Sequence, residues 1–165
     1  MIKFLRNYRN NAEENQEDNK GFSLVELIIV IAIMAILVAV LAPQFLQYVE
    51  RSRNSTDASN ATSIVAAVQT YLADPANSAE VKGFTGDTVT VNADGFSPTD
   101  GVIGDALAAA GYDESADIKC KSTSAWTDYT IKFTYDKGSL NVEYGQTDGK
   151  TAFAEYMQNG AVKAD

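Results

Sequence analysis

The chain has 165 residues, enough for one modest domain and one long segment outside it. Its formal net charge is −9, and all of the excess negative charge belongs to residues 22–165, so the folded part is unsuited to non-specific nucleic-acid binding. The absence of histidine and the single cysteine, Cys120, exclude histidine-based acid–base catalysis, Cys/His zinc sites and an intramolecular disulfide. We therefore expect neither a cofactor nor a metal site.

The first 21 residues are polar and rich in Asn and Glu. They hold four cations and four anions, and no apolar periodicity continues after Tyr8. We interpret residues 1–21 as a poorly ordered leader on the cytoplasmic side of a membrane.

Residues 22–42 form an apolar run in which only Ser23 and Glu26 are polar. As a helix, a segment of this length is about 31 Å long, close to the ~30 Å thickness of the hydrocarbon core of a bilayer. Inside lipid the backbone must satisfy its own hydrogen bonds, which favours a helix. The run therefore predicts a transmembrane helix.

Residues 43–74 continue the helical spacing but become amphipathic. A polar stretch, Glu50 to Asn60, is followed by apolar residues at intervals of three and four: Ala61, Ile64, Val65, Val68, Tyr71 and Leu72. The pair Asp74-Pro75 should end the helix, since a residue before proline is disfavoured in the α region. Together, residues 22–73 predict one helix of about 50 residues, far longer than a bilayer requires.

Residues 75–165 supply a globular headgroup that can cover the amphipathic half of the helix. Alternating residues predict strands at Thr88–Val91, at Trp126–Tyr135 and around Leu140–Tyr144, with a turn at 136–138 joining the last two. Gly101–Gly111 predicts a short helix ended by glycine, and Thr151–Met157 predicts another. The region 75–125 otherwise suggests a long loop, and Cys120 lies in a strand-like segment.

The predicted fold class is therefore α+β: a long N-terminal helix, half transmembrane and half amphipathic, packed on a small antiparallel sheet. The predicted division is a leader at 1–21, a membrane or filament-core helix at 22–42, an amphipathic helix at 43–74 and a headgroup at 75–165.

The sequence from Lys20 to Glu26, KGFSLVE, followed by the apolar run, resembles the signature of type IV pilins and pseudopilins. The resemblance covers roughly residues 20–72. It implies that a prepilin peptidase cuts between Gly21 and Phe22 and then methylates the new N-terminal Phe22. The leader is longer than those usually paired with a mature Phe, and the single cysteine precludes the C-terminal disulfide loop common in Gram-negative members.

Glu26 is the informative residue of this motif. A carboxylate in an apolar membrane segment costs about 2–3 kcal/mol even on insertion scales, so it is usually functional and paired. The candidate partner is the α-amino group released at Phe22 of a neighbouring subunit. The competing interpretation is a neutral or snorkelling glutamate at the membrane surface.

Pro43 removes one helical hydrogen bond and crowds the preceding turn. It predicts either a simple bend at the membrane edge or, as the resemblance implies, a site of local helix melting within a filament.

Three other interpretations compete. A secretory signal peptide has a shorter apolar region, and cleavage after Ala42 would leave Pro43 first. A plain single-span anchor for an exported domain explains the apolar length but not the motif. An enzyme or calcium site would need the scattered acids, Asp94, Asp100, Asp105, Asp113, Glu114, Asp117 and Asp148, to converge, yet no calcium-loop pattern is present.

The sequence thus predicts a non-enzymatic type IV pilin precursor that polymerises through its N-terminal helix into an extracellular pilus. The alternative within the family is a pseudopilin of a type II secretion system. Its expected partners are further copies of itself, the prepilin peptidase and methyltransferase, the pilus assembly machinery and, before assembly, the lipid bilayer. It should reside in the cytoplasmic membrane with its leader inside, and then in the filament.

Overall fold

The computed structural model describes residues 22–112 and 115–161, and these divide into two compact units, one ending at Phe45 and the other beginning at Leu46. Helix α1 spans Leu24–Ala73 and belongs to both units. Its 50 residues confirm the predicted single helix, which ends where Asp74 and Pro75 begin a short 3-10 turn, Pro75–Asn77.

The remaining elements all lie in the second unit. They are, in chain order, α2 (Ser78–Val81), β1 (Gly86–Val91), β2 (Phe96–Ser97), α3 (Gly101–Ala109), a 3-10 turn (Ser115–Asp117), β3 (Tyr129–Asp136), β4 (Ser139–Gly145) and α4 (Ala152–Asn159). The four strands form an antiparallel sheet in the order β2-β1-β3-β4. The α+β prediction is therefore confirmed.

The hairpin of β3 and β4 follows from its turn residues. Asp136 pairs with Ser139, which leaves a two-residue loop, and both loop residues have positive φ: 49° at Lys137 and 86° at Gly138. Such a turn matches the right-handed twist of the flanking strands. It also fixes the register, which places Phe133 opposite Val142 and Ile131 opposite Tyr144.

One face of the sheet is buried against the second half of α1. The core contains Ala61, Ile64, Val68 and Tyr71 from α1 together with Val89, Val91, Tyr129, Ile131 and Phe133 from β1 and β3. The core residues of α1 are spaced three or four positions apart and those of the strands two positions apart. The helical and the strand periodicity of the sequence therefore contribute to the same core.

Two predicted segments differ from the structure. The alternation predicts a strand that begins at Trp126, but β3 begins at Tyr129, and the strand-like segment around Cys120 is not a strand. Other acceptors take the backbone N–H groups of this segment. Those of residues 121–124, which would donate to a neighbouring strand, donate instead to the carboxylates of Glu50 and Asp57 on α1, and that of Trp126 donates to the Ser122 hydroxyl.

Asp57 is the centre of that attachment. It is fully buried, at 0% exposed. Its Oδ1 accepts a hydrogen bond from the Lys121 N–H at 2.7 Å, and its Oδ2 accepts from the Ser122 N–H at 2.9 Å, the Trp126 Nε1–H at 2.9 Å and the Cys120 Sγ at 3.4 Å. A buried carboxylate is tolerable when donors surround it, so this side chain fixes the segment on the helix.

Glu50 holds the same segment two turns earlier on α1. Its Oε1 accepts hydrogen bonds from the Ser122 hydroxyl and from the N–H groups of Thr123 and Ser124, at 2.7–2.8 Å. Arg53 lies 3.4 Å from Oε2. Partial burial alone would raise the pKa of Glu50, but these hydrogen bonds outweigh it and hold the pKa well below its usual range.

Phe153 joins α4 to this arrangement. It is fully buried, stacks on Tyr129 with ring centroids 4.4 Å apart, and meets Trp126 edge-on at 5.1 Å. Because the indole of Trp126 also donates to Asp57, the helix, the 120–126 segment and α4 share one aromatic and polar cluster.

We expect Asp57→Asn to destabilise the headgroup by about 1–3 kcal/mol, because an amide NH₂ replaces one accepting oxygen and leaves a buried donor unpaired. The measurement is the urea midpoint of the detergent-solubilised chain, followed by the fluorescence of Trp126, its one tryptophan. Asp94→Asn makes the same chemical change at an exposed residue and should leave the midpoint unchanged. Equal midpoints for both variants would contradict the role assigned to Asp57.

The stabilisation from Glu50 should depend on pH. Its folded pKa is depressed, so its contribution is complete above the unfolded pKa of about 4.3 and is lost as the pH falls below it. Glu50→Gln should therefore lower the urea midpoint at about pH 6, and the gap to wild type should narrow at about pH 3 as Glu50 approaches its folded pKa. A gap that stays constant with pH would show that Glu50 acts through packing alone.

Candidate assembly and processing site

The first half of α1 presents apolar side chains on every side. Each large apolar residue between Leu27 and Leu41 is at least 51% exposed, and Phe22 is 85% exposed. Among the described residues, α1 is the one helix whose length and composition suit a membrane span, and its apolar stretch is not buried. A helix of a soluble core would be mostly covered, so this surface requires lipid or other protein chains around it.

Glu26 has a local partner at the start of this helix. Its Oε2 accepts a hydrogen bond from the Ser23 N–H at 2.8 Å, and the Ser23 carbonyl accepts the first helical hydrogen bond, from Leu27 at 3.1 Å. Ser23 is therefore the N-cap, and Glu26 lies in the first turn, where the helix dipole favours negative charge. None of the described residues donates to the other oxygen, Oε1.

The Ser23–Glu26 contact is a feature that our sequence analysis missed, although a signal for it was present. Ser-x-x-Glu before an apolar run is the capping-box pattern, in which the glutamate returns to the N–H of the cap residue. This contact helps a single helix to tolerate Glu26 and uses one of its two carboxylate oxygens. Pairing of Glu26 with the amino group of another subunit stays a prediction.

The other predicted site residues are placed as follows. Lys20, Gly21 and the rest of the leader lie outside the described residues. Phe22 immediately precedes the N-cap, at the exposed start of α1. Pro43 lies inside α1, and helix is assigned on both sides of it. Its predicted bend or melting stays a prediction.

The acids that the structure describes in the headgroup do not assemble into a metal site. Within 22–112 and 115–161, no group of three or more His, Cys, Asp or Glu residues could hold a metal ion. Asp94, Asp100, Asp105, Asp117 and Asp148 are exposed, whereas Asp113 and Glu114 fall outside the described residues. Cys120 is 8% exposed, and burial, with the negative charge of Asp57 nearby, raises its pKa to about 12.

Comparison with protein families finds a match at the start of the chain. Residues 18–42 match the model of the prokaryotic N-terminal methylation motif. The chain therefore carries this motif. The match includes Gly21, Phe22 and Glu26 and ends where the apolar run ends. No curated protein and no solved structure matches the chain significantly.

The motif match supports the type IV pilin and pseudopilin family, and indicates a pilin-like or pseudopilin precursor. It points to a structural subunit rather than an enzyme, and to membrane anchoring by α1. The match covers residues 18–42 alone and carries no information about the headgroup.

Proposed function

We propose that this chain is a type IV pilin precursor that is cut between Gly21 and Phe22, methylated at Phe22 and polymerised through α1 into an extracellular pilus. The observation that carries the proposal is the methylation motif at 18–42 joined to an exposed helix that continues into a folded headgroup. A cleaved secretory signal would lose the apolar segment, whereas processing at Gly21 retains it.

In this proposal each zone has one role. The leader, residues 1–21, keeps the precursor's N-terminus in the cytoplasm. Residues 22–42 hold it in the cytoplasmic membrane and then form the filament core. Residues 43–74 join that core to the headgroup, residues 75–165, on the filament surface. The partners are the prepilin peptidase and methyltransferase, the assembly machinery and other copies of the chain.

Assembly exchanges one apolar environment for another. Lipid tails cover α1 before assembly and neighbouring helices cover it afterwards, so little net hydrophobic free energy is gained. Cleavage adds an electrostatic contribution to assembly. It creates a positively charged amine at Phe22, which is only about four residues, or ~6 Å along the helix, from Glu26. In a low-dielectric core, Glu26 of one subunit and this amine of the next attract strongly, and a subunit out of register leaves both charges unpaired.

The processing step is tested by the mass of the N-terminal peptide from sheared surface filaments. We expect a peptide that begins with N-methylated Phe22. An intact Met1, or a secreted monomer that begins after Ala42, would contradict the proposal. A product that supports export of another protein but forms no surface pilus would instead indicate the pseudopilin function.

Substitutions at Glu26 separate charge from helix capping. Glu26→Ala removes both, whereas Glu26→Gln keeps an oxygen that can accept from the Ser23 N–H but removes the charge. We expect both variants to insert in the membrane and both to yield at least tenfold fewer filaments, since truncating one partner of a buried ion pair costs about 3–5 kcal/mol.

Ser23→Ala is the control, because it retains the Glu26 carboxylate and the backbone N–H that binds it. Its filament yield should be close to wild type. Normal assembly of Glu26→Gln would show that capping, and not pairing with an amine, is the role of this residue.

A further inference from the structure

A groove lies between the second half of α1 and α3. Small side chains line it on both helices: Ser63, Ala66, Ala67, Ala106, Ala109 and Ala110. Its volume is about 500 Å³, which is room for one or two large side chains of a partner. We call it the α1–α3 groove.

The edge of this groove is acidic. Asp74 lines it, and Tyr71, also in the lining, donates its hydroxyl to Glu80. That hydrogen bond, with the negative charges of Glu80 and Asp105 nearby, raises the pKa of Tyr71 to about 12. No described residue that lines the groove is a lysine or arginine. A fitting occupant therefore has a bulky apolar body and a positive charge.

The same helix carries such a surface nearer to its middle. Leu46 and Tyr48 are 66% and 65% exposed, and the Arg51 guanidinium lies 5.8 Å from the centre of the Tyr48 ring. None of the ion pairs formed by the described residues includes Arg51. We call these three residues the Leu46–Arg51 knob.

We infer that the α1–α3 groove of one subunit binds the Leu46–Arg51 knob of a second copy of this chain. This inference rests on the proposed function and names the headgroup-level contact within the filament. The acidic edge faces the arginine, and the alanine floor gives room for Tyr48 and Leu46. The knob also directly follows, along α1, the exposed segment through which the subunits are proposed to polymerise.

The contact sets a direction of growth. Tyr48 and Ala66 are 18 residues apart on α1, which corresponds to about 27 Å along the helix. Because 18 residues make five turns, both lie on the same side of α1, so two parallel copies match when one is displaced by roughly that distance and turned by about half a turn about its helix axis. Because knob and groove are different patches, the contact is heterologous, so each added subunit presents a new groove and a new knob.

Cross-linking in filaments tests the contact. In a Cys120→Ser background, Tyr48→Cys and Ala66→Cys place one thiol on the knob and one in the groove, both at exposed residues. A short bismaleimide should convert sheared filaments into a ladder of dimers, trimers and higher species. The control pair, Tyr48→Cys with Lys137→Cys at the hairpin turn, should give no ladder.

Filling the groove is a second test that does not depend on cross-linking. Ala109→Trp places an indole in the groove, whereas Ala108→Trp makes the same change on the neighbouring exposed residue of α3, outside the groove lining. We expect Ala109→Trp to lower filament yield at least tenfold and Ala108→Trp to leave it unchanged.

The outcomes separate this inference from the proposed function. Filaments without a ladder, or equal yields for the two tryptophan variants, overturn the knob-and-groove contact and leave the pilin function standing. A wild-type chain that forms no filaments overturns the proposed function itself. A product that stops at dimers contradicts the heterologous contact.

Discussion

Asp57 lies fully buried on α1, and four donors from one short segment, residues 120–126, converge on its two oxygens. This fixes the chain just before β3 begins and orients the Trp126 indole against Phe153. The sheet, α4 and the helix are thereby fastened together without a covalent link. A chain with one cysteine needs such an attachment, because no disulfide can close the C-terminal region.

Three carboxylates of α1 face three environments. Glu26 lies among exposed apolar side chains, and the one described residue that donates to it is its own cap residue, Ser23. Glu50 is partly buried and Asp57 fully buried, and both are surrounded by donors of the headgroup. The hydrogen-bond donors around each carboxylate differ accordingly. Glu50 and Asp57 are held by the headgroup, whereas Glu26 has one donor among the described residues, which is why we propose it as the group that pairs with another chain.

The sequence predicted the elements with strong local signals. The 50-residue helix, its end at Asp74-Pro75 and the turn at Lys137-Gly138 follow from apolar periodicity, proline geometry and turn chemistry, and the structure confirms them. The roles of Glu50 and Asp57 could not be predicted in this way. Their donors come from residues more than 60 positions later, so on the helix these acids look like part of a solvated polar stretch. β2, with two residues, is too short to give an alternating pattern.

In the headgroup, α1 has residues that pack in the core and residues that remain exposed for contact with other chains. Ile64 and Val68 are fully buried in the core of the headgroup, so they cannot contact another subunit. The exposed side chains differ between the two patches. Those of the Leu46–Arg51 knob are bulky and include a basic residue, whereas those that line the α1–α3 groove are mostly small and include the acidic Asp74. A surface of uniform character would bind its own copies in any register. A helix with different patches at two levels has one preferred offset, which is the property that an open polymer requires of its subunit.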